Sequence, residues 1–234
     1  MRMGLRNAAL TALVALVFGF AGAGLWSLSG LGQDRTRAWL VANPDILPEM
    51  AQALQKQEAQ AKLAEVGPTV ARPFPGAVLG NPRGARTLVK FTDYGCSFCR
   101  ASEADVQRLI AGDPGLRVVI REWPIFEGSE EAARMALAAA QQGRYPAFYR
   151  AMFAGGPPSA ATVARAAEVA GLDMAQARAF AASDAVAAEL AQNMQLARTL
   201  GFTGTPAWIA EGKIVEGAVG YERLKQALEG KDEA

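Results

Sequence analysis

The sequence predicts an α/β protein in which a βαβ unit, a block of helices, a β-hairpin and a closing helix follow one another, behind a separate helical segment. Three observations carry this. Two short β-branched and apolar runs, Thr87 to Tyr94 and Leu116 to Trp123, flank a helix-favouring stretch from Arg100 to Ala111. The alanine-rich chain from Glu130 to Leu200 is cut by Gly and Pro into pieces of helical length. Two further runs, Pro206 to Ile209 and Lys213 to Val215, are joined by a turn at Glu211-Gly212 ahead of a last helix, Tyr221 to Leu228.

In chain order, Arg2 and Arg6 precede an uncharged stretch from Asn7 to Gln33 with an apolar heart from Ala8 to Trp26. A basic region followed by an apolar one is the form of an export signal, and Ala21-Gly22-Ala23 offers small residues for cleavage. The run is also about 20 residues, enough to span a bilayer, so a cleaved signal and a retained anchor are both open for residues 1–33. Either places the remainder outside the cytoplasm, where disulfides persist.

Residues 34–66 are expected to be helical, with the regular helix starting around Pro48. Leu40, Leu47, Met50, Leu54 and Ala61 recur at threes and fours, with Asn43, Gln57 and Ala64 filling the seam. So narrow a seam does not hold a helix alone. It packs on a partner, making an oligomerisation segment, or folds back on its own domain. Residues 67–76 carry Pro68, Pro73 and Pro75 and are expected to be an extended linker. Residues 77–234 form the main domain, with a helical insertion at about 129–200. Its interleaved Met135, Leu137, Phe148, Tyr149, Met152, Phe153, Val163, Val169 and Phe180 predict a packed core.

Of 234 residues, two are cysteine and none is histidine, and the net charge is +1. No basic block invites nucleic acid. A structural zinc site wants four Cys or His ligands, and histidine-base mechanisms need a histidine, so no metal or organic cofactor is implied. Cys96-Ser97-Phe98-Cys99 follows a strand broken by Gly95. A bridge closing so short a loop gains little as a staple, whereas a redox pair suits the place. The free N–H groups at the start of a helix stabilise a thiolate, which makes Cys96 the nucleophile and a good leaving group. Cys99, one turn on, suits the resolving thiol. In the oxidising direction a substrate thiolate attacks Cys96 of the disulfide and a second substrate thiol resolves the mixed disulfide. In the isomerising direction the Cys96 thiolate attacks a wrong bridge and Cys99 is the escape route. A second signature is Thr203-Gly204-Thr205-Pro206-Ala207-Trp208, with proline at the head of a strand.

Phe91 to Cys99, Arg121-Glu122-Trp123-Pro124-Ile125 and Gly204-Thr205-Pro206-Ala207 together resemble the DsbA-type thioredoxin-like family over roughly residues 75–230. The resemblance implies a thioredoxin-like fold with an inserted helical domain and a periplasmic thiol–disulfide oxidoreductase. It also implies a cis bond between Thr205 and Pro206 facing the cysteines, with the Thr205 backbone open to an extended substrate segment. The segment from Trp39 through Met50 and the Gln-rich helix behind it is similar to the ScsC/Com1-like branch, in which it can oligomerise the protein and some members isomerise disulfides. Thr205 before the proline leans the same way. Two departures tune the centre: Lys90 stands where many relatives carry an acid six residues before the first cysteine, and Ser97-Phe98 lacks the histidine of the strongest oxidants, which predicts a less oxidising disulfide. Three functions follow: an isomerase or reductase acting on exported proteins and kept reduced by a membrane donor of the DsbD or ScsB kind; a monomeric dithiol oxidase recharged by a DsbB-like partner; and a redox-inert binding or chaperone module.

Overall fold

The computed structural model describes residues 4–28 and 31–230; Arg2 of the basic N-terminal region lies outside them. The chain divides into two compact units, Met1–Lys56 and Gln57–Ala234.

In the first unit, α1 is Leu5–Leu28 and α2 is Leu31–Ala42. Among the described residues no helix is long and apolar enough to cross a membrane. Asn43 ends α2. Its side-chain Nδ2 donates to Trp39 O at 2.7 Å, and Pro44, lacking an N–H, opens a single 3₁₀ turn, Pro44–Ile46. Helix α3 is Leu47–Val70, with Pro48 in its first turn, where no amide partner is needed, and Glu49 favourably placed beside the free N–H groups. Leu47, Met50 and Leu54 stay exposed along it.

The second unit is built on a five-stranded sheet in the order β1-β3-β2-β4-β5. Strands β2 (Arg86–Thr92) and β3 (Leu116–Glu122) are parallel, with Thr92 opposite Glu122. Strand β4 (Ala207–Ala210) runs antiparallel to β2, and β5 (Lys213–Glu216) antiparallel to β4. Glu211 and Gly212 both take positive φ, 46° and 73°, in the tight hairpin turn between them. Strand β1 (Val78–Gly80), antiparallel to β3, was not foreseen, because three residues are too short to show a period of two.

The stretch expected as one helix from Arg100 begins earlier and breaks. Helix α4 is Ser97–Ala101 and α5 is Glu103–Gly112, with the hydroxyl of Ser102 at the joint donating to Cys99 O at 2.8 Å. The helical block is α6 (Ser129–Gln141), α7 (Tyr145–Ala154), α8 (Ala160–Ala170), α9 (Met174–Ala181) and α10 (Asp184–Leu200). Ser159, Asp173 and Ser183 cap α8, α9 and α10. Val169, expected in the core, is exposed, since α8 turns Val163, Ala166, Ala167 and Ala170 inward instead. Helix α11, Tyr221–Leu228, closes the chain as expected.

Side chains alternate along the strands and sort the core into two. One face presents Leu88, Val118, Ile120 and Trp208 to α5, α6, α7 and α11. The other presents Val89, Phe91, Val119 and Ile209 to Leu63 and Val70 of α3 and to Leu196 and Leu200 of α10. Phe91 is edge-on to Trp123 and Phe202, with ring centroids 6.2 and 5.1 Å away.

The expected linker at 67–76 is corrected at its start, where Gly67 to Val70 are the last residues of α3 and Pro68 lies inside the helix. The cause is tertiary. The buried Arg121 guanidinium donates to the carbonyls of Thr69 and Val70, in the last turn whose acceptors a helix leaves short of partners, and to that of Arg72 just beyond it. Its remaining donor, Nη1, reaches Glu189 at 2.9 Å and Asn193 at 3.1 Å on α10. Replacing Arg121 by Leu removes a donor from three carbonyls and takes the Arg121 cation from Glu189. A loss of about 3–5 kcal/mol is expected in denaturant titration, with hydrogen-exchange protection at 63–70 falling ahead of that at β2.

Candidate functional site

Strand β2 ends at Thr92, and the corner Asp93-Tyr94-Gly95 leads into α4. Asp93 holds this corner. Its Oδ1 accepts from Gly95 N at 2.6 Å and from the Ser129 hydroxyl, and its Oδ2 from Ile125 N and Phe126 N at 2.6 and 2.9 Å. One buried carboxylate thus ties the approach to Cys96 to the 125–129 segment. Gly95 is required there, because a Cβ would come 2.8 Å from Ser129 Oγ and 3.0 Å from Phe126 Cβ.

Cys96 is the cap residue of α4, with extended backbone. Its sulfur accepts the Cys99 N–H at 3.2 Å, and its own thiol donates to Thr205 O at 3.1 Å. The Thr205–Pro206 peptide bond is cis. The structure therefore brings Cys96, Cys99 and Thr205-Pro206 together from sequence separations of more than a hundred residues. Both cysteines are free thiols, and the corner is less open than its strand-to-helix position suggested: Cys96 is 2% and Cys99 0% exposed. Of the intervening pair, Ser97 is exposed and Phe98 is 65% exposed, with Ile125 and Phe126 also open to solvent.

Lys90 does not reach out to solvent. It is fully buried, ion-paired with Glu103 of α5 and 3.1 Å from the Tyr149 hydroxyl. Its Nζ sits 5.1 Å from the Trp208 ring centroid and 5.3 Å from that of Phe153. Burial pushes the Cys99 thiol up to about 11, opposed first by the Lys90 ammonium and then by the Thr92 hydroxyl. The lysine therefore acts on the inner sulfur.

Sequence reasoning assigned no role to Asp93, Glu103 or Glu122, nor to the tyrosines around them. Glu122, at the end of β3, is wholly buried, and its Oε1 accepts from Tyr94 at 2.8 Å and Tyr145 at 2.6 Å. Its other oxygen, Oε2, is buried without a hydrogen-bond partner. Burial raises the carboxyl to about 8 against the pull of the two tyrosine hydroxyls, Asp93 adding to the rise and Lys90 opposing it. A signal was present, since Asp93 and Glu122 are acids at the ends of runs that read as buried strands, and a buried acid without an obvious partner is rare. Among the described residues no cluster of three acids or cysteines is placed to hold a metal.

Residues 87–229 match the DSBA-like thioredoxin domain. The chain belongs to this family. Its Cys96-Cys99 pair fits the centre of a DsbA-like thiol–disulfide oxidoreductase. Residues 34–61 match the N-terminal domain of copper resistance protein ScsC. Among solved structures, a thioredoxin-like oxidoreductase from Silicibacter pomeroyi DSS-3 is 45% identical with a TM-score of 0.63, the alignment covering 65% of this chain and 90% of that one. A linker-deleted variant of Proteus mirabilis ScsC is 25% identical with a TM-score of 0.70, covering 85% of this DsbA-like chain and 92% of the other. A stretch 28% identical over 146 residues, 61% of this chain, is found in the Na(+)/H(+) antiporter NhaA 3 of Salinispora tropica. The chain spans only 22% of that curated relative.

The raised Glu122 carboxyl contributes a pH dependence to the stability of this DsbA-like domain. Between about pH 4.5 and about pH 8 the folded protein keeps a proton that the unfolded chain has lost. Stability therefore falls as pH rises through this window, by up to about 1.4 kcal/mol per pH unit from this group. Glu122→Gln removes that slope. Denaturant titrations are expected to show the variant gaining on the wild type from about pH 5 to about pH 8. Parallel curves would contradict the assignment.

Proposed function

We propose that this protein is an exported disulfide isomerase or reductase, with Cys96 as attacking thiolate and Cys99 as resolving thiol. The observation that carries thiol exchange is the Cys96 sulfur itself, which accepts the Cys99 amide and faces the Thr205 carbonyl. An amide donor at the sulfur suits a thiolate. Thr205 and Pro206 are the substrate contact, where an extended segment adds to the backbone as a short strand. Exposed Phe98, Ile125 and Phe126 offer such a segment apolar contact that a folded protein surface does not need. Ser97, Phe98 and Lys90 tune the centre. Thiol-bearing exported proteins are the substrates, and a membrane donor of the DsbD or ScsB kind returns the pair to the dithiol.

The isomerase reading is favoured by the seam on α3. Leu47, Met50 and Leu54 are exposed in one copy, and the same segment matches the ScsC N-terminal domain. Residues 34–66 then assemble copies of the chain, so that several dithiols face one misbridged substrate.

Two measurements on a protein beginning at Asp34 test this. Reactivation of a scrambled-disulfide substrate in glutathione buffer is expected for the wild type and lost in Cys96→Ser. Native mass is expected to exceed one chain and to fall to one chain when Met50 and Leu54 are both replaced by Lys. A monomer that introduces disulfides but does not reshuffle them points instead to a dithiol oxidase recharged by a DsbB-like partner. A folded wild type no more active than Cys96→Ser points to a redox-inert binding module.

A further inference from the structure

Cys99 poses a proton problem. When the Cys96–Cys99 disulfide is opened, Cys99 departs as a thiolate into a fully buried site, and before it can resolve a mixed disulfide it must lose a proton again. The cation nearest the thiol, Lys90, is committed to Glu103 and Tyr149.

We propose that Glu122 is the proton carrier for Cys99, acting across the Thr92 hydroxyl. Thr92 and Glu122 are register partners on the parallel strands β2 and β3, so both buried side chains lie on one sheet face, the face that carries Leu88 and Ile120 into the cluster holding Cys99. The Thr92 hydroxyl is buried without a well-formed hydrogen bond and lies beside the Cys99 thiol. Glu122 is held by one oxygen only, through Tyr94 and Tyr145, while its second oxygen has no partner. In a buried carboxyl that is otherwise fixed, one unpaired oxygen is a costly arrangement to keep for stability alone. It suits a group that gains and loses a proton there. The backbone carbonyl of Glu122 is tied to Asn193 Nδ2 at 3.0 Å, so strand and side chain are both held in place. The titratable groups facing it are Lys90 and Asp93 from β2 and its corner, and Tyr94, Tyr145 and Tyr149 with Glu103 behind them; Cys99 stands on the far side of Thr92.

The inference rests on the thiol exchange proposed above, and the step balances as follows. An incoming thiolate bonds to Cys96 Sγ, the Cys96–Cys99 bond breaks, and its electron pair leaves on Cys99 Sγ. The Glu122 carboxyl proton passes through the Thr92 hydroxyl to that sulfur, leaving a carboxylate. In the resolving direction the Cys99 S–H returns its proton to the carboxylate. Its sulfur then bonds to Cys96 Sγ and expels the partner as a thiolate. Burial places the carboxyl near 8 and the thiol near 11, so the first transfer runs downhill.

The test is the rate of reduction of the oxidised full-length protein by dithiothreitol, followed by tryptophan fluorescence from about pH 6 to about pH 9 and corrected for the reductant's own thiolate fraction. The wild type is expected to show an inflection near 8. Glu122→Gln is expected to lose it and to react about a hundredfold slower at neutral pH, while Glu122→Asp keeps the inflection. A folded Glu122→Gln protein with the wild-type profile overturns the proposal. Should that variant not fold, carbon NMR of the labelled wild type decides: a buried glutamate carboxyl titrating near 8 in the dithiol and shifting on oxidation supports it, and none doing so overturns it. A wild type whose cysteines do not exchange with dithiothreitol at all would instead sink the thiol-exchange reading beneath it.

Discussion

The parallel pairing of β2 with β3 is the constraint on which the rest of the molecule depends. It sets Thr92 opposite Glu122, and because side chains alternate along a strand, it sends Arg121 and Glu122 to opposite faces of the sheet. Glu122 goes to the face that carries the dithiol, where tyrosines from the corner and from α7 meet it. Arg121 goes to the other, where it holds the end of α3 against α10. Two consecutive residues of one strand thus connect the dithiol face of the second unit with the face that holds the end of α3. A slip of one residue in the register would exchange them and bury each charge among the wrong partners.

Charge in the interior of this domain is met by bonded partners, and Glu122 is the buried carboxyl with the fewest. Lys90 has a carboxylate, a phenol and three aromatic rings around its ammonium. Arg121 spends its donors on three carbonyls, a carboxylate and an amide. Asp93 receives three backbone N–H groups and a hydroxyl. Glu122 has phenols but no cation bonded to it, and burial answers by holding its proton. Removing one partner from a paired buried charge is costly, so the network keeps the corner before Cys96 rigid. Exposed Phe98, Ile125 and Phe126 stand on that rigid base beside the sulfur.

Much of the architecture was legible. The strands at 86–92 and 116–122, the helices of the insertion and the closing helix follow from hydrophobic period and from Gly and Pro punctuation, and they lie within a few residues of expectation. The misses have physical causes. β1 is shorter than any period. α4 and α5 part at Ser102, where a hydroxyl bonds back to the chain. Val169 points outward because alanines fill the inner face of α8. Gly67 and Pro68 read as breakers, yet α3 runs through them, because an arginine more than fifty residues away satisfies the carbonyls at its end.

The linear chain already identifies the two sulfurs of the redox centre. Two cysteines three positions apart, after a strand and with no histidine anywhere, leave little chemistry but thiol exchange. The Gly-Thr-Pro segment, by its likeness to a family, implied a cis peptide bond facing the cysteines, and the Thr205–Pro206 bond is cis. How charge is arranged around those sulfurs emerges only once the chain is folded. Lys90, Glu103 and Glu122 are unremarkable charged residues in a linear reading, because desolvation and partner choice belong to the environment and not to the residue. That environment is assembled from a strand, a corner and helices far apart in the chain. Folding turns one acid into an ion-pair partner and another into a proton-holding carboxyl between two buried tyrosines.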